Sequence, residues 1–262
     1  MEVVVGLGIA IAVAAAVRST WSPCGQSMLS QITPFTERAR HQRFGVTAGW
    51  FVVGSVLGGA TLGVIGGAGA AATSAADLSS DTALAILVGL AVVAAAVDGG
   101  VFGFRPPFFR RQVNEDWLPR YRGWLYGVGF GWQVGVGIAT YIMTAAVFLT
   151  VAVGVLTASP AAAFGIAVLF GLVRGLTVFL TANVDTPAQL VSFHRRFDAW
   201  SEPIRRSVIA LELLVASCAA GVAWGVVGLV AVGVPLAIVA AVVLVSTPRR
   251  ARAQDSTARA HA

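Results

Sequence analysis

The stretch Ser207 to Val245, SVIALELLVASCAAGVAWGVVGLVAVGVPLAIVAAVVLV, is 39 residues long and carries one charge, Glu212. As a single helix at 1.5 Å per residue it would run about 58 Å, roughly twice the hydrocarbon core of a bilayer. It therefore reads as two membrane-crossing helices joined by a tight turn near Gly225 to Gly228. The same criterion marks five earlier apolar runs: Val3 to Val17, Phe44 to Ala76, Thr82 to Phe104, Gly123 to Leu156 and Ala161 to Ala182. The expected count is seven. Composition agrees, with 57% hydrophobic and only 11% charged residues in 262 and a mean hydropathy of +0.81. Soluble domains carry about 25% charged residues. This chain could not cover a water-facing surface, which excludes a soluble enzyme, a nucleic-acid-binding domain and a disordered chain. The first run reads as a span and not as a cleavable signal, since Glu2 is the only charge ahead of it.

The arginines test the count. All 18 basic residues are Arg, and 16 of them lie outside the spans. With seven spans every one of the 16 falls on one face: between spans one and two, three and four, five and six, and after seven. The loops around Asp77 to Asp81 and Ala158 to Pro160 hold none. Cationic loops stay cytoplasmic. The expected localisation is the cytoplasmic membrane, with the N-terminus outside and the C-terminus inside. Phe108 to Tyr121 and Gln189 to Trp200 read as short interfacial helices. Residues 247–262 read as a disordered cytoplasmic tail. Residues 1–246 form one transmembrane domain.

Two segments match at an offset of 111. Trp21 and Thr33 correspond to Trp132 and Thr144, and Gly54 and Gly58 correspond to Gly171 and Gly175 at an offset of 117. Spans one to three (1–104) would then repeat, inverted, as spans four to six (123–225), with 228–246 as an extra span. The fold class is thus an all-α membrane bundle. Ser22-Pro23-Cys24 beside a first span, together with a three-plus-three repeat, resembles the transmembrane thiol–disulfide carriers of the cytochrome c biogenesis type (CcdA/DsbD). It also resembles the wider superfamily of small exporters, the LysE and sulfite-exporter-like proteins. That resemblance implies a carrier fold. For the thiol–disulfide branch it implies a second Cys in the second repeat, where this chain has Gly135.

Ser19 to Pro34 is uncharged, half polar and interrupted by Pro23 and Gly25, the kind of segment from which membrane carriers build a site. Cys24, Gln26 and Ser27 are its candidate site residues, with Gln133 in the matching segment. Four charges fall inside spans: Arg18, Asp98, Arg174 and Glu212. Each costs roughly 2.5–3.5 kcal/mol at a helix centre, so each should face the bundle interior. Two readings stand. Arg18 with Asp98, and Arg174 with Glu212, are structural ion pairs; or Arg18 and Arg174 line an anion path. Cys218, among small residues, reads as packing. His41 and His194 have no ligand companions at metal spacing, so no metal or other cofactor is expected. No nucleophile–base set or phosphate loop is present. The leading function is a permease for a small, possibly anionic solute, working within the lipid bilayer. The alternative is thiol–disulfide electron transfer through Cys24 to an extracytoplasmic thioredoxin-like partner. A non-transporting membrane scaffold is the third class.

Overall fold

The computed structural model describes residues 2–101, 122–138, 141–237 and 241, and these residues form helices and connections without a strand. The helices are α1 (Glu2–Arg18), α2 (Pro23–Gln31), α3 (Pro34–Ala39), α4 (Phe44–Ala75), α5 (Ser80–Gly99), α6 (Gly123–Val136), α7 (Ala146–Leu156), α8 (Pro160–Leu176), α9 (Pro187–Ala199) and α10 (Ser201–Gly228). Four of them begin with the same local device. A Ser or Thr caps the helix and a Pro follows: Ser22-Pro23, Thr33-Pro34, Ser159-Pro160 and Thr186-Pro187. The hydroxyl accepts an amide that has no intrahelical partner, and Pro has no amide to leave unpaired. Pro23 therefore starts a helix; the interruption between α1 and α2 is confined to a 3₁₀ turn, Ser19–Trp21, and extended Ser22.

Among the described residues five stretches are long and apolar enough to cross a membrane: Glu2–Trp21, Phe44–Ala75, Ser80–Gly99, Pro160–Thr181 and one within Pro187–Ala237. The fourth expected run is not one of them. It divides into α6, with 14 residues, and α7, with 11. At about 21 Å and 17 Å both are shorter than a hydrocarbon core of roughly 30 Å. The break opens at Gly137, whose φ of 72° suits glycine. Another positive-φ glycine, Gly225 (φ 64°), breaks α10 within its last turn and reverses the chain. Beyond it Leu229 packs against Gly221, and Gly233 approaches Ser217, so the chain returns antiparallel to α10. The expected turn near Gly225 to Gly228 is observed there. The expected interfacial helix at Phe108 to Tyr121 and the tail 247–262 lie outside the described residues.

Small residues bring the central helices together. α4 is wedged between α6, which runs parallel to it, and α8, which runs antiparallel. Gly54 and Gly58 face the α6 backbone at Val128 and Trp132, while Gly59, Gly63 and Gly67 face Gly171, Phe164 and Pro160 of α8. Such contacts let helix backbones approach closely where a hydrophobic driving force is weak. Ser55 Oγ donates to the Gly171 carbonyl at 2.8 Å and ties α4 to α8. Both glycine pairs expected to match across a repeat therefore sit on this seam.

The ends of the bundle differ in charge. Arg18 donates to Ser201, Arg205 to the Asp98 carbonyl, and Arg38 pairs with Asp185. These contacts gather the C-terminal ends of α1 and α5 with the start of α10, and α3 with the entry to α9. Arg40 and Arg43 lie at the same end, as does Arg122, beside the start of α6. The opposite end, where Gly67 meets Pro160 and Gly69 meets Val155, carries Asp77 and Asp81.

Candidate functional site

Polar groups buried inside an apolar bundle must find partners or be left at a cost, so they mark where a site can form. Three clusters emerge.

The first is fully satisfied. Glu37, at the end of α3, has no exposure. Its carboxylate accepts from Thr47 of α4 at 2.5 Å, from the Tyr126 hydroxyl of α6 and from Arg40 at 3.2 Å. Arg40 also donates to the Gln31 side chain at 2.8 Å and the Gln31 carbonyl at 3.0 Å. This network locks α2 and α3 against α4 and α6. Sequence reasoning missed it. In the sequence Glu37 belongs to no motif and lies among Arg38, Arg40 and Arg43, and two of its partners lie 10 and 89 residues away.

The second surrounds Asp98 at the end of α5. Its carboxylate accepts from the Thr144 hydroxyl and from the Ala145 amide at 2.7 Å. It thus caps the start of α7, whose first amides have no partner within their own helix. Arg205 donates to the Asp98 carbonyl at 2.9 Å and clasps Glu202 through two nitrogens at 2.7 and 2.8 Å. Arg18 is buried and within electrostatic range of Asp98, but its observed hydrogen bond goes to Ser201 Oγ at 3.4 Å. Asp98 is held mainly by the α7 start. Glu212 is also buried here, and neither of its oxygens has a hydrogen-bond partner.

The third centres on Arg174 near the end of α8. It is 2% exposed, and its Nε and Nη2 have no hydrogen-bond partner. Its guanidinium carbon lies 5.8 Å from the centroid of the Phe170 ring. Cys24, in the first turn of α2, is buried and close enough to act electrostatically on Arg174. The Phe170 ring also packs beside Gly137, at the α6–α7 break. Arg174 and Glu212 are therefore both buried without forming an ion pair with each other. Among the other expected site residues, Gln26, Ser27 and Gln133 are half-buried. Cys218 is exposed on α10 and makes no disulfide with Cys24.

Around these clusters, α9 docks on α2. Trp21 stacks on Phe197 with centroids 4.2 Å apart and donates its indole N–H to the Phe197 carbonyl at 2.9 Å. Ser30 Oγ lies 3.0 Å from His194 Nε2. Among the described residues no group of three His, Cys, Asp or Glu could hold a metal ion. An apolar cavity of about 510 Å³ lies between α5 and α7, lined by Leu90, Val97, Ala145 and Phe148 among others, beside Asp98, which accepts the Ala145 amide, and without Arg174, Cys24, Gln26, Ser27 or Gln133 in its lining.

Comparison with known proteins finds 32% identity over 194 residues with methylamine utilization protein MauF of Paracoccus versutus, covering 71% of this chain and 68% of that protein. The chain belongs to the MauF family. MauF of Paracoccus denitrificans is 34% identical over 182 residues, covering 66% of this chain and 62% of that protein. MauF of Methylophilus methylotrophus is 30% identical over 183 residues, with 66% and 61% covered. The chain thus spans about two thirds of the length of these relatives. No family model matches the chain, and no solved structure matches it.

Membership in the MauF family corrects the expectation of a CcdA/DsbD-type carrier or a LysE-type exporter, and with it both the permease and the thiol–disulfide readings. The structure supplies the physical reason that the motif misled. Ser22-Pro23-Cys24 is cap, first and second residue of an ordinary helix start. The place expected to hold a second Cys is closed to any side chain, because a Cβ on Gly135 would overlap the Ser55 carbonyl of α4.

Proposed function

We propose that this chain is a membrane-embedded accessory protein of methylamine utilization. The observation that carries the reading is its 32% identity, over most of its length, to a protein named for that process. Five apolar helices of membrane-crossing length support the membrane placement. In the topology we favour, the chain crosses seven times, with α6 and α7 as one interrupted crossing and the segment after Gly225 as the seventh. The arginine-rich end faces the cytoplasm, as the retention of cationic loops on that side requires.

Two experiments test this. Deleting the gene should abolish growth on methylamine as carbon source and leave growth on succinate intact; undiminished growth on methylamine overturns the functional reading. Reporter fusions in the Asp77–Asp81 loop and at the C-terminus should report opposite sides of the membrane. Signals from one side would overturn the topology.

A further inference from the structure

We propose that Arg174 binds a small oxyanion, a carboxylate or a phosphate, through the Nε/Nη2 edge of its guanidinium, where α8 meets the α1–α2 bend and the α6–α7 break. The identity of the unpartnered atoms carries the argument. Nε and Nη2 lie on the same side of a guanidinium and present two parallel N–H bonds, the spacing that meets two oxygens of one carboxylate or phosphate. Both are buried and without a hydrogen-bond partner, in a residue only 2% exposed. A buried cation with an open bidentate edge is incomplete: in an apolar surround it needs a counter-charge or donors' partners.

The protein supplies other parts of such a site. The guanidinium carbon lies over the Phe170 ring, 5.8 Å from its centroid. Cys24, in the opening turn of α2, acts on Arg174 electrostatically, which brings the start of that helix beside the guanidinium. The charged alternative within the chain is Glu212, whose two oxygens also lack partners. It belongs to the Asp98 side of the bundle, where Asp98 acts on it electrostatically. An oxyanion from solution would complete Arg174 without moving α10.

The test uses the full-length chain purified in detergent and does not depend on the methylamine reading, since it reads binding and not growth. Thermal unfolding is followed by Trp fluorescence during titration with formate, acetate or phosphate, each matched in ionic strength with chloride. The wild type should show a saturable rise in Tm with the oxyanions and none with chloride. Arg174→Lys keeps the charge but loses the fork, and should weaken the apparent affinity by about tenfold or more. Glu212→Gln should leave it within about twofold, as expected for an independent site. Equal responses to oxyanion and chloride in the wild type would overturn the proposal, and that comparison stands even if the Arg174 variant does not fold. So would loss of the response in Glu212→Gln, which would make Glu212 part of the arginine's own pairing, or its full retention in Arg174→Lys.

Discussion

Replacing Gly135 by Ala should destabilise this protein far more than one methyl group normally does. The new Cβ would point at the Ser55 carbonyl of α4, within overlap of backbone atoms and not of a side chain that could rotate away. α4 cannot yield in the other direction. On its far side Ser55 Oγ donates to the Gly171 carbonyl at 2.8 Å, and the Gly59 and Gly171 backbones already meet. The wedge must open on one face or the other. Forcing an extra methyl group into a packed interior costs about 1–3 kcal/mol, or roughly 5- to 150-fold in the ratio of folded to unfolded protein. Gly89→Ala is the control: it lies in α5, where an added Cβ meets nothing within 4 Å. It should be neutral or stabilising by roughly 0.5–1 kcal/mol, because Ala favours the helix. Both variants would be purified in the same detergent and compared by thermal unfolding and by the folded fraction on size-exclusion chromatography. If Gly135→Ala unfolds at the same temperature as Gly89→Ala, the close approach of α4 and α6 is wrong, and with it the reason given for the absent second cysteine.

Tyr126→Phe removes one of three donors to the buried Glu37 carboxylate; it should cost about 1.5–3 kcal/mol, as for a hydrogen bond to a charged group, read as a lower unfolding temperature, and an unchanged value would remove the network from the account of the fold. Trp21→Ala deletes the stack on Phe197 and the indole hydrogen bond to its carbonyl. It should loosen α9 and speed tryptic cleavage at Arg195 and Arg196 in purified protein, whereas wild-type cleavage kinetics would show that α9 is held by other contacts.

Much of the architecture was legible in the sequence because a bilayer imposes one-dimensional rules. Apolar runs marked helices long and apolar enough to cross a membrane, except for Gly123 to Leu156, and the 39 residues from Ser207 to Val245 required a reversal that the structure places at Gly225. Arginine placement predicted that the bundle would have one basic end, and the described helices meet in that way. Ser/Thr-Pro pairs mark helix starts through purely local hydrogen bonding, although Ser22-Pro23 read alone suggested an unwound site. What the sequence could not decide depends on partners distant along the chain. The run Gly123 to Leu156 looked like one span. Its division at Gly137 is stabilised from outside, by Asp98 capping α7 across 47 residues. Glu37 could not be told from a solvated loop charge until Thr47 and Tyr126 were brought onto it. Glycines on three helices gave no sign of which would face which; only packing decided that Gly135 abuts Ser55 and that no side chain fits there. Arg174 was legible as a charge too deep to be solvated. That its open atoms form one bidentate edge, with Glu212 not paired to it, followed only once the helices were in place, because the pairing of a buried charge is set by the neighbours that tertiary structure gives it.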